Sequence, residues 1–568
     1  MTSLLLHVRR LTIRWCTAAA LGVVAIHPTT AHAQASIVPA LHPVYDWLAD
    51  QRVAGRLPQY QFEVRPMARA EIIAQLRTLA AMESSLSEGE RRLLRDFWNE
   101  FEQERLEANR GFTANFFRKL PSALWPAIRD RRDPVIYAGT SADSMVSGAV
   151  YVAKGAGTLS LTNGSDRRSG YVTTGAVRGF LNTRFGLGWH FEADNIWTAT
   201  DAALIRQLPR YDTEAMKPSS TSSYEYESFV SYRSPKYFEL VMGRGSQAMG
   251  AGVTDPLILR ADAPYFGMMR LRLGTPRFNF VYLHGALHTN AVDETMAYQG
   301  NPITSRVAPD RYLVSHRLTW SPHPRLSLAL HEQMIYSNRG LDLNYLNPVV
   351  PMVLAQARLG DRDNLLMGGD VVFRPLNGTQ LVGSVLIDDV GKPGDEGVPW
   401  SEIKSAMTVG IEQRLWPGMR LSLGYTATTP FVYSHWMRLN AYEDHDKPLG
   451  TALGPNGEEL AARLIGWFPL RTRVMLGVRA IRRGLDPVNS AGVVTACVGG
   501  NLLCGKLDPG RPRYAGAEIH DIRRLELEAE SELIRGLPIA LRLRDDQVTR
   551  GTQLRSQRFV DLRLRFGF

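Results

Sequence analysis

Aromatic and polar side chains gather in two stretches rich in turn-forming residues, and these side chains are the best suited to bind a ligand. They are Trp400, Tyr433, His435, Trp436, Arg438 and Tyr442. Sugar rings present C–H faces that pack on aromatic rings, while polar side chains can hydrogen-bond the hydroxyls. The set therefore suits a polysaccharide, although an interfacial girdle or loop packing would use the same residue types. The acidic pair Asp388 and Asp389, at an expected strand end, could bind a cation or sugar hydroxyls, or simply be solvated.

A second group of charged residues alternates with apolar residues near the C-terminus. Its members are Glu526, Glu528, Glu530, Arg542, Arg544, Arg563 and Arg565. Because alternate residues of a strand share a face, both signs of charge should line one face of neighbouring strands. A turn centred near Gly536 would pair Glu530 with Arg542 and Glu528 with Arg544. Such a ladder would either stiffen the wall of a barrel or form a selectivity constriction in its lumen.

Two of the three cysteines, Cys497 and Cys504, lie close together in a glycine-containing segment. In an exported protein, such near neighbours most simply form one disulfide within a loop. A metal-binding pair is the alternative, but no second pair of cysteines or histidines lies nearby. The sequence therefore favours a loop disulfide and no metal site.

The sequence contains neither a Gly-x-Ser-x-Gly elbow nor a His-Glu-x-x-His zinc motif. Residues 500–506 match most of a phosphate-binding loop, but Leu507 replaces the required serine or threonine. Four histidines are scattered singly: His284, His288, His316 and His331. We therefore expect no catalysis and no cofactor. An enzyme built on a barrel wall is the alternative, and the sequence identifies no nucleophile for it.

The first 33 residues predict a secretory signal peptide. Three arginines precede an apolar stretch over residues 15–26, and Ala-His-Ala follows at 31–33 as a cleavage signature. The stretch is shorter than the roughly 20 residues of a membrane-spanning helix, which disfavours the alternative of an uncleaved anchor. Removing three arginines and no acids lowers the formal net charge from +10 to +7. Because no basic cluster with interleaved aromatics remains, nucleic acid is not an expected partner.

Residues 34–130 predict a small helical domain, because apolar residues recur there every three or four positions. They include Ile72, Ile73, Leu76, Leu79, Leu93, Leu94, Phe97, Trp98 and Phe101. Ser87 and Glu90 fit a capping box, which predicts that a helix begins near Ser87.

From residue 131 to the C-terminus the apolar period is two, which is typical of strands with one apolar face. Leu181, Phe185, Leu187 and Trp189 alternate with polar residues and glycines, as do Val560, Leu562, Leu564, Phe566 and Phe568. Short turns alternate with long polar loops. The prolines at the short turns are Pro235, Pro276, Pro322, Pro375, Pro417, Pro469 and Pro538.

Aromatic residues flank these turns, and this asymmetry of short turns and long loops is typical of an outer-membrane β-barrel. A soluble sandwich would have similar connections at both ends. One less obvious turn at residues 178–182 makes about eight short turns. With both chain ends on the side of the short turns, eight turns predict an antiparallel transmembrane barrel of about 18 strands, after the helical domain.

Several segments resemble the capsule-assembly family called Wzi, whose members are outer-membrane barrels preceded by a small periplasmic helical part. The segments are Leu259–Phe266 (LRADAPYF), Asn344–Val349 (NYLNPV), Gly360–Asn364 (GDRDN), Leu386–Val390 (LIDDV), Pro430–His435 (PFVYSH) and Pro448–Pro455 (PLGTALGP). The terminal Phe568 also resembles the signature by which barrel-assembly machinery recognises its clients. The resemblance implies a lectin-like role in which the protein holds capsular or extracellular polysaccharide at the cell surface.

The sequence thus predicts a Gram-negative outer-membrane protein that contacts lipid and binds polysaccharide through extracellular loops. Its helical domain would lie in the periplasm. The alternative is a porin or a substrate-selective channel, and the two differ in whether the lumen is plugged or open.

Overall fold

The computed structural model describes residues 35–58, 61–106, 137–140, 146–183, 185–198, 204, 222–234, 237–289, 298–299, 304–305, 308–360, 362–389, 403–505, 511–534 and 537–567. The predicted signal peptide, the boundary at residue 130, Trp400 and Phe568 lie outside these residues. Within the described ranges, no helix is long and apolar enough to span a membrane.

Three helices near the N-terminus form a helical unit: α1 (Pro43–Val53), α2 (Arg69–Ala81) and α3 (Glu88–Leu106). The predicted capping box is confirmed, because the Ser87 backbone N–H donates to Glu90 Oε2 at 2.9 Å and the Glu90 N–H donates to Ser87 Oγ at 3.3 Å. The predicted apolar residues form the core of the unit, where Trp47 of α1 stacks on Phe97 of α3 with ring centroids 5.1 Å apart.

Eighteen long antiparallel strands form a closed barrel, as predicted. They are β1 (Val146–Asn163), β2 (Asp166–Thr183), β3 (Leu187–Thr198), β4 (Ser222–Arg233), β5 (Phe238–Gly245), β6 (Phe266–Gly274), β7 (Phe278–Leu287), β8 (Arg311–His323), β9 (Leu326–Ser337), β10 (Asn364–Phe373), β11 (Thr379–Asp389), β12 (Lys404–Trp416), β13 (Met419–Thr428), β14 (Gly457–Phe468), β15 (Thr472–Leu485), β16 (Glu518–Ile534), β17 (Leu537–Arg550) and β18 (Gln553–Gly567).

The barrel closes between its first and last strands. Strand β18 pairs with β1 from Gln557 opposite Asn163 to Gly567 opposite Ala153. A short strand, Tyr137–Thr140, continues along the same edge of β1. Closure leaves no unpaired strand edge, which is the condition for a sheet to lie in hydrocarbon.

The outward face of the wall is apolar, as the alternation predicted. Exposed aliphatic side chains on this face include Val150, Val177, Val230, Leu330, Val371, Val409, Leu423, Leu460, Val478, Leu525 and Leu562. Exposed aromatic residues flank the short turns: Phe185, Tyr237, Phe278, Trp320, Phe373, Trp416 and Phe468. An apolar band edged by aromatic side chains is the outer surface of an outer-membrane β-barrel.

We call the end of the barrel with the eight short turns the turn end, and the opposite end the loop end. Both ends of the barrel sequence lie at the turn end. The turn predicted at residues 178–182 is misplaced, because β2 continues to Thr183 and β3 begins at Leu187. Gly186 has a φ of 86° there, a conformation that glycine adopts at low cost. Two connections at the loop end, 164–165 and 551–552, are also short.

The helical unit docks on the turn end through complementary charges. Arginines from the ends of several strands and from one turn form a basic rim: Arg233, Arg272, Arg414, Arg420, Arg471 and Arg473. Their partners are Glu71 of α2, Glu90 and Glu100 of α3, and Asp46 of α1. Five strands, β4, β6, β12, β13 and β15, and one turn therefore share in holding the helical unit.

The connection 246–265, which we call the inward loop, crosses the lumen from β5 and β6 towards the opposite wall. The Ala251 N–H donates to Asp370 of β10 at 3.1 Å, and Arg463 of β14 reaches the Val253 carbonyl at 3.5 Å. Ala248–Met249 pairs as a short strand with Val64–Arg65 of the helical unit. Apolar side chains of this loop join lumen-facing residues of β5 to β12 in one buried cluster. The lumen thus contains a packed core.

Candidate functional site

One long connection at the loop end, 429–456, is described in full, and we call it the cap loop. Tyr433 and Tyr442 stack inside it with ring centroids 5.7 Å apart. Their hydroxyls donate to the carbonyls of Leu257 and Ile258 in the inward loop, at 2.9 and 2.8 Å. Both side chains are fully buried, and burial raises the pKa of each phenol. The cap loop is therefore bonded to the core of the lumen through neutral tyrosines.

A single arginine fixes the other side of the cap loop. Arg311, at the loop end of β8, is 1% exposed, and its donors all have acceptors. It donates to the carbonyls of His288, Leu439, Ala441 and Glu443, and to Glu443 Oε1 at 2.6 Å. Burial raises the pKa of Glu443, and Arg311 opposes that shift. No pattern in the sequence distinguishes Arg311 from an exposed strand-end arginine.

The structure contradicts the prediction that Tyr433, Tyr442 and Asp388 contact sugar. Asp388 is 5% exposed, and its Oδ2 accepts the Tyr433 backbone N–H. Because these three side chains are buried among protein groups, they position the cap loop and offer no surface to a ligand. The side chain of Asp389 and all of Trp400 lie outside the described residues, so their assignments remain predictions.

The predicted residues that do reach solvent are His435, Trp436 and Arg438. Trp436 is 51% exposed, and Arg438 is also exposed. His435 is half-buried; its Nδ1 accepts the Met437 N–H at 3.1 Å, and its ring lies 5.3 Å from that of Trp436. An indole and a guanidinium on a firmly held loop can stack on a sugar ring and pair with a carboxylate.

A disulfide-closed segment lies beside the cap loop. Cys497 and Cys504 are bonded, with Cα atoms 5.7 Å apart. Asp486 Oδ1 accepts the N–H groups of Val498 and Gly500, both at 2.9 Å. The Gly499 carbonyl accepts the Phe431 N–H at 3.1 Å, which joins this segment to the cap loop. Residues 500–505 thus belong to an irregular loop, not to a turn between a strand and a helix, and Lys506 lies outside the described residues.

Among the described residues, six of the seven members of the predicted charge ladder form ion pairs, namely all but Glu530, and the predicted register is wrong. Glu528 lies opposite Arg542 and Glu526 opposite Arg544, whereas Glu530 lies opposite Ala540. The difference arises because the hairpin is centred one residue before Gly536 and contains a bulge between Ser531 and Ile534.

Several of these charges also pair beyond the predicted ladder. Glu526 accepts from Arg479 of β15 at 3.1 Å, and Arg544 lies 3.4 Å from Asp546. Arg563 pairs with Asp561 at 2.9 Å, and Arg565 pairs with Glu192 of β3 at 3.5 Å. The result is a lattice of ion pairs on the lumen-facing wall, spread over more strands than the hairpin from which it was predicted.

Of the four scattered histidines, His288 joins a cluster that the sequence did not reveal. Its ring lies 4.7 Å from that of His445, and both residues contact Asp444. The ligand atoms of these three side chains lie within 4.8 Å of one another, close enough to hold a metal ion. Asp444 already accepts the His288 N–H at 2.6 Å and lies 3.1 Å from His445 Nδ1, so hydrogen bonding alone accounts for the cluster.

A cavity of about 340 Å³ lies at the turn end, between the helical unit and the wall, far from the cap loop. Charged groups line it, among them His42, which lies 3.0 Å from Glu100, and Arg471, which also pairs with Glu100. These pairs connect the helical unit to the barrel, so the cavity belongs to the docking interface.

No protein-family model and no curated protein matches this chain. Among solved structures, the fold is similar to that of Wzi from Escherichia coli, an outer-membrane protein involved in group 1 capsule assembly and described as a carbohydrate-binding β-barrel. The match has a TM-score of 0.55 at 12% identity and covers 93% of this chain and 99% of that one. OccK2 (OpdF) of Pseudomonas aeruginosa matches with a TM-score of 0.41 at 10% identity over 74% of this chain and 97% of that one. The resemblance to Wzi expected from the sequence is confirmed at the level of the fold.

Proposed function

We propose that this protein binds surface polysaccharide at the loop end of an outer-membrane barrel, without catalysis or cofactor. The observation that carries the proposal is the occupied lumen: the inward loop crosses it, and the helical unit is docked on its turn end. A barrel packed in this way serves as a rigid support for its loops. In this proposal the signal peptide directs export, barrel-assembly machinery inserts the chain, and the helical unit faces the periplasm.

The proposed contact surface is the exposed part of the cap loop. Trp436 supplies an aromatic face for the C–H side of a sugar ring, and Arg438 supplies a charge for acidic sugars. The anchors of the cap loop fix its backbone before binding. Binding to a loop that is already ordered loses less conformational entropy, which favours affinity.

Support also comes from the fold, since Wzi is described as a carbohydrate-binding barrel. At 12% identity the similarity does not extend to the choice of sugar. The proposal therefore names polysaccharide as the ligand class and leaves the sugar to direct measurement.

The test is polysaccharide binding by the full-length protein in lipid nanodiscs, with surface polysaccharide purified from the producing bacterium. We expect Trp436→Ala and Arg438→Ala each to weaken binding about tenfold, or about 1.4 kcal/mol. Trp320→Ala is the matched control, because Trp320 is an equally exposed indole at the turn end. Unchanged affinity in the Trp436→Ala/Arg438→Ala double variant would overturn the assignment of this surface.

A further inference from the structure

The connection 338–363 between β9 and β10 folds over the outside of the barrel, and we call it the outer strap. It contains a short helix, α4 (Met352–Leu359). Successive residues of a strand point to opposite faces of the wall, so residue numbers along β7 to β9 identify the face that the outer strap covers. Even-numbered residues of β7 to β9 point outward, since Phe278, Trp320 and Leu330 are all highly exposed.

Nearer the loop end, outward-facing residues of the same strands are buried. Tyr282 is 1% exposed, His284 7%, and Tyr336 is fully buried. The outer strap covers them. The Tyr282 hydroxyl donates to the Tyr345 carbonyl at 2.9 Å, and the Tyr336 and Tyr345 rings lie 5.1 Å apart.

Helix α4 is held against the wall by its inner face. Met352 and Ala355 are buried among the wall side chains. The Met352 backbone N–H lies 3.1 Å from both carboxylate oxygens of Glu332, which also pairs with His316 at 2.8 Å. A polar pair on the outward face of a transmembrane wall is costly in hydrocarbon, and the outer strap shields this one.

An ion-pair staple fixes the two ends of the outer strap to each other. Arg339 donates to both oxygens of Asp363, at 2.9 and 2.6 Å, and to Asp342 at 3.2 Å. The Tyr345 hydroxyl also donates to Asp363, at 2.8 Å. The outer strap is therefore a defined part of the fold with a fixed outer surface.

The outer surface of the outer strap carries a cluster of exposed apolar residues: Leu341 (59%), Leu343 (80%), Val349 (81%), Val353 (44%) and Leu354 (60%). Asn344 and Asn347 are also exposed on this segment. Arg358 and Arg362 are exposed on the same segment. Exposed apolar clusters of this kind mark surfaces that contact a partner or a membrane.

We propose that the outer strap is embedded in the lipid leaflet at the loop end of the barrel, with acyl chains as the partner of its apolar surface. The wall beneath the outer strap is continuous with the lipid-facing band, so this apolar surface extends a surface that already meets hydrocarbon. Arg358 and Arg362 then lie near the phosphate groups of the lipid, as basic residues do in interfacial helices. This proposal is independent of polysaccharide binding.

The test uses site-directed spin labels on the full-length protein in liposomes. Leu354→Cys and Val349→Cys place nitroxides on the apolar cluster, and Val493→Cys is the matched control, with 60% exposure in the loop that precedes the disulfide-closed segment. The bonded pair Cys497–Cys504 does not react with the label. Collision rates with oxygen, which partitions into lipid, and with a water-soluble nickel chelate report the surroundings of each label.

We expect oxygen to relax the labels at 349 and 354 several-fold more effectively than the nickel chelate, with the reverse ratio at 493. Preferential relaxation by the chelate at 349 and 354, as at 493, would place the outer strap in water and overturn the proposal. Protection from both reagents would mean that a second protein copy covers the surface, and this would also overturn it. Heat-modifiable migration on gels confirms that each labelled variant is folded.

Discussion

Asp46 and Asp50 lie one helical turn apart on α1, and their pKa values shift in opposite directions. Burial alone would raise the pKa of Asp46, but Arg473 at 2.7 Å and Arg420 at 3.0 Å lower it to about 2. Asp50 is 1% exposed, lies 3.8 Å from Arg420 Nε, and has one oxygen without a hydrogen-bond partner. Burial raises the pKa of Asp50 to about 6. Ionised Asp46 therefore stabilises the docked helical unit, whereas ionised Asp50 destabilises it.

The pH dependence follows from these directions. The pKa of Asp50 is above its ordinary value of 3.8, so its favourable protonated state is lost as the pH rises through about 6. At pH 7.5 we expect Asp50→Asn to raise the free energy of unfolding of the helical unit by about 1–3 kcal/mol. The gain should shrink towards pH 4.

Asp46→Asn is the matched control for this prediction. It should destabilise the helical unit above about pH 4, because Asp46 stabilises as an anion and loses this effect only as the pH falls towards 2. Urea titrations followed by circular dichroism at 222 nm measure both variants, since unfolding of the helices reduces the magnitude of that signal. Shifts of the two variants in the same direction at pH 7.5 would contradict the account.

The sequence pattern did not separate the exposed residues of the cap loop from its buried residues. The stretch from Tyr433 to Tyr442 contains solvent-exposed and fully buried residues of similar type, and alternation does not extend into an irregular loop. Trp436 and Arg438 reach solvent, whereas Tyr433 and Tyr442 bond to the inward loop. That contact joins residues about 180 positions apart, which no local pattern reports.

At the scale of elements, Arg311 holds the cap loop through hydrogen bonds to Leu439, Ala441 and Glu443. We expect Arg311→Met to cost about 3–5 kcal/mol, because it leaves the buried Glu443 carboxylate and several carbonyls unpaired. The consequence should be local: faster protease cleavage and hydrogen exchange within residues 429–456, with heat-modifiable migration of the barrel retained.

Two further variants make this prediction specific. Arg311→Met/Glu443→Gln should recover part of the protection, because the unpaired charge is gone. Arg325→Met removes an arginine that donates to the Pro375 carbonyl at the turn end, and it should leave the cap loop unchanged. Equal cleavage of the cap loop in Arg311→Met and the wild-type protein would refute the role of this arginine.

Regular elements were predictable because their signals are local. The capping box at Ser87 and Glu90 and the proline turn at Pro417 lie where the sequence indicated. The ladder in β16 and β17 had the right residues but the wrong register, since a bulge of one residue leaves little trace in composition. The inward loop and the outer strap could not be predicted, because both are defined by contacts with distant strands.

At the scale of the whole molecule, two elements from different parts of the chain fill one barrel. Carboxylates of the helical unit pair with the basic rim at the turn end, and the inward loop packs beneath the cap loop. Together these contacts form a continuous connection from the turn end to the loop end, so the barrel is expected to act as a support and not as a conduit.

The most direct test of this account is single-channel conductance of the purified, refolded protein in a planar bilayer. We predict no steady large conductance, either before or after surface polysaccharide is added on the side of the loop end. A steady large conductance unaffected by polysaccharide would contradict the account, and it would mean that the protein is a channel that shares only its fold with Wzi.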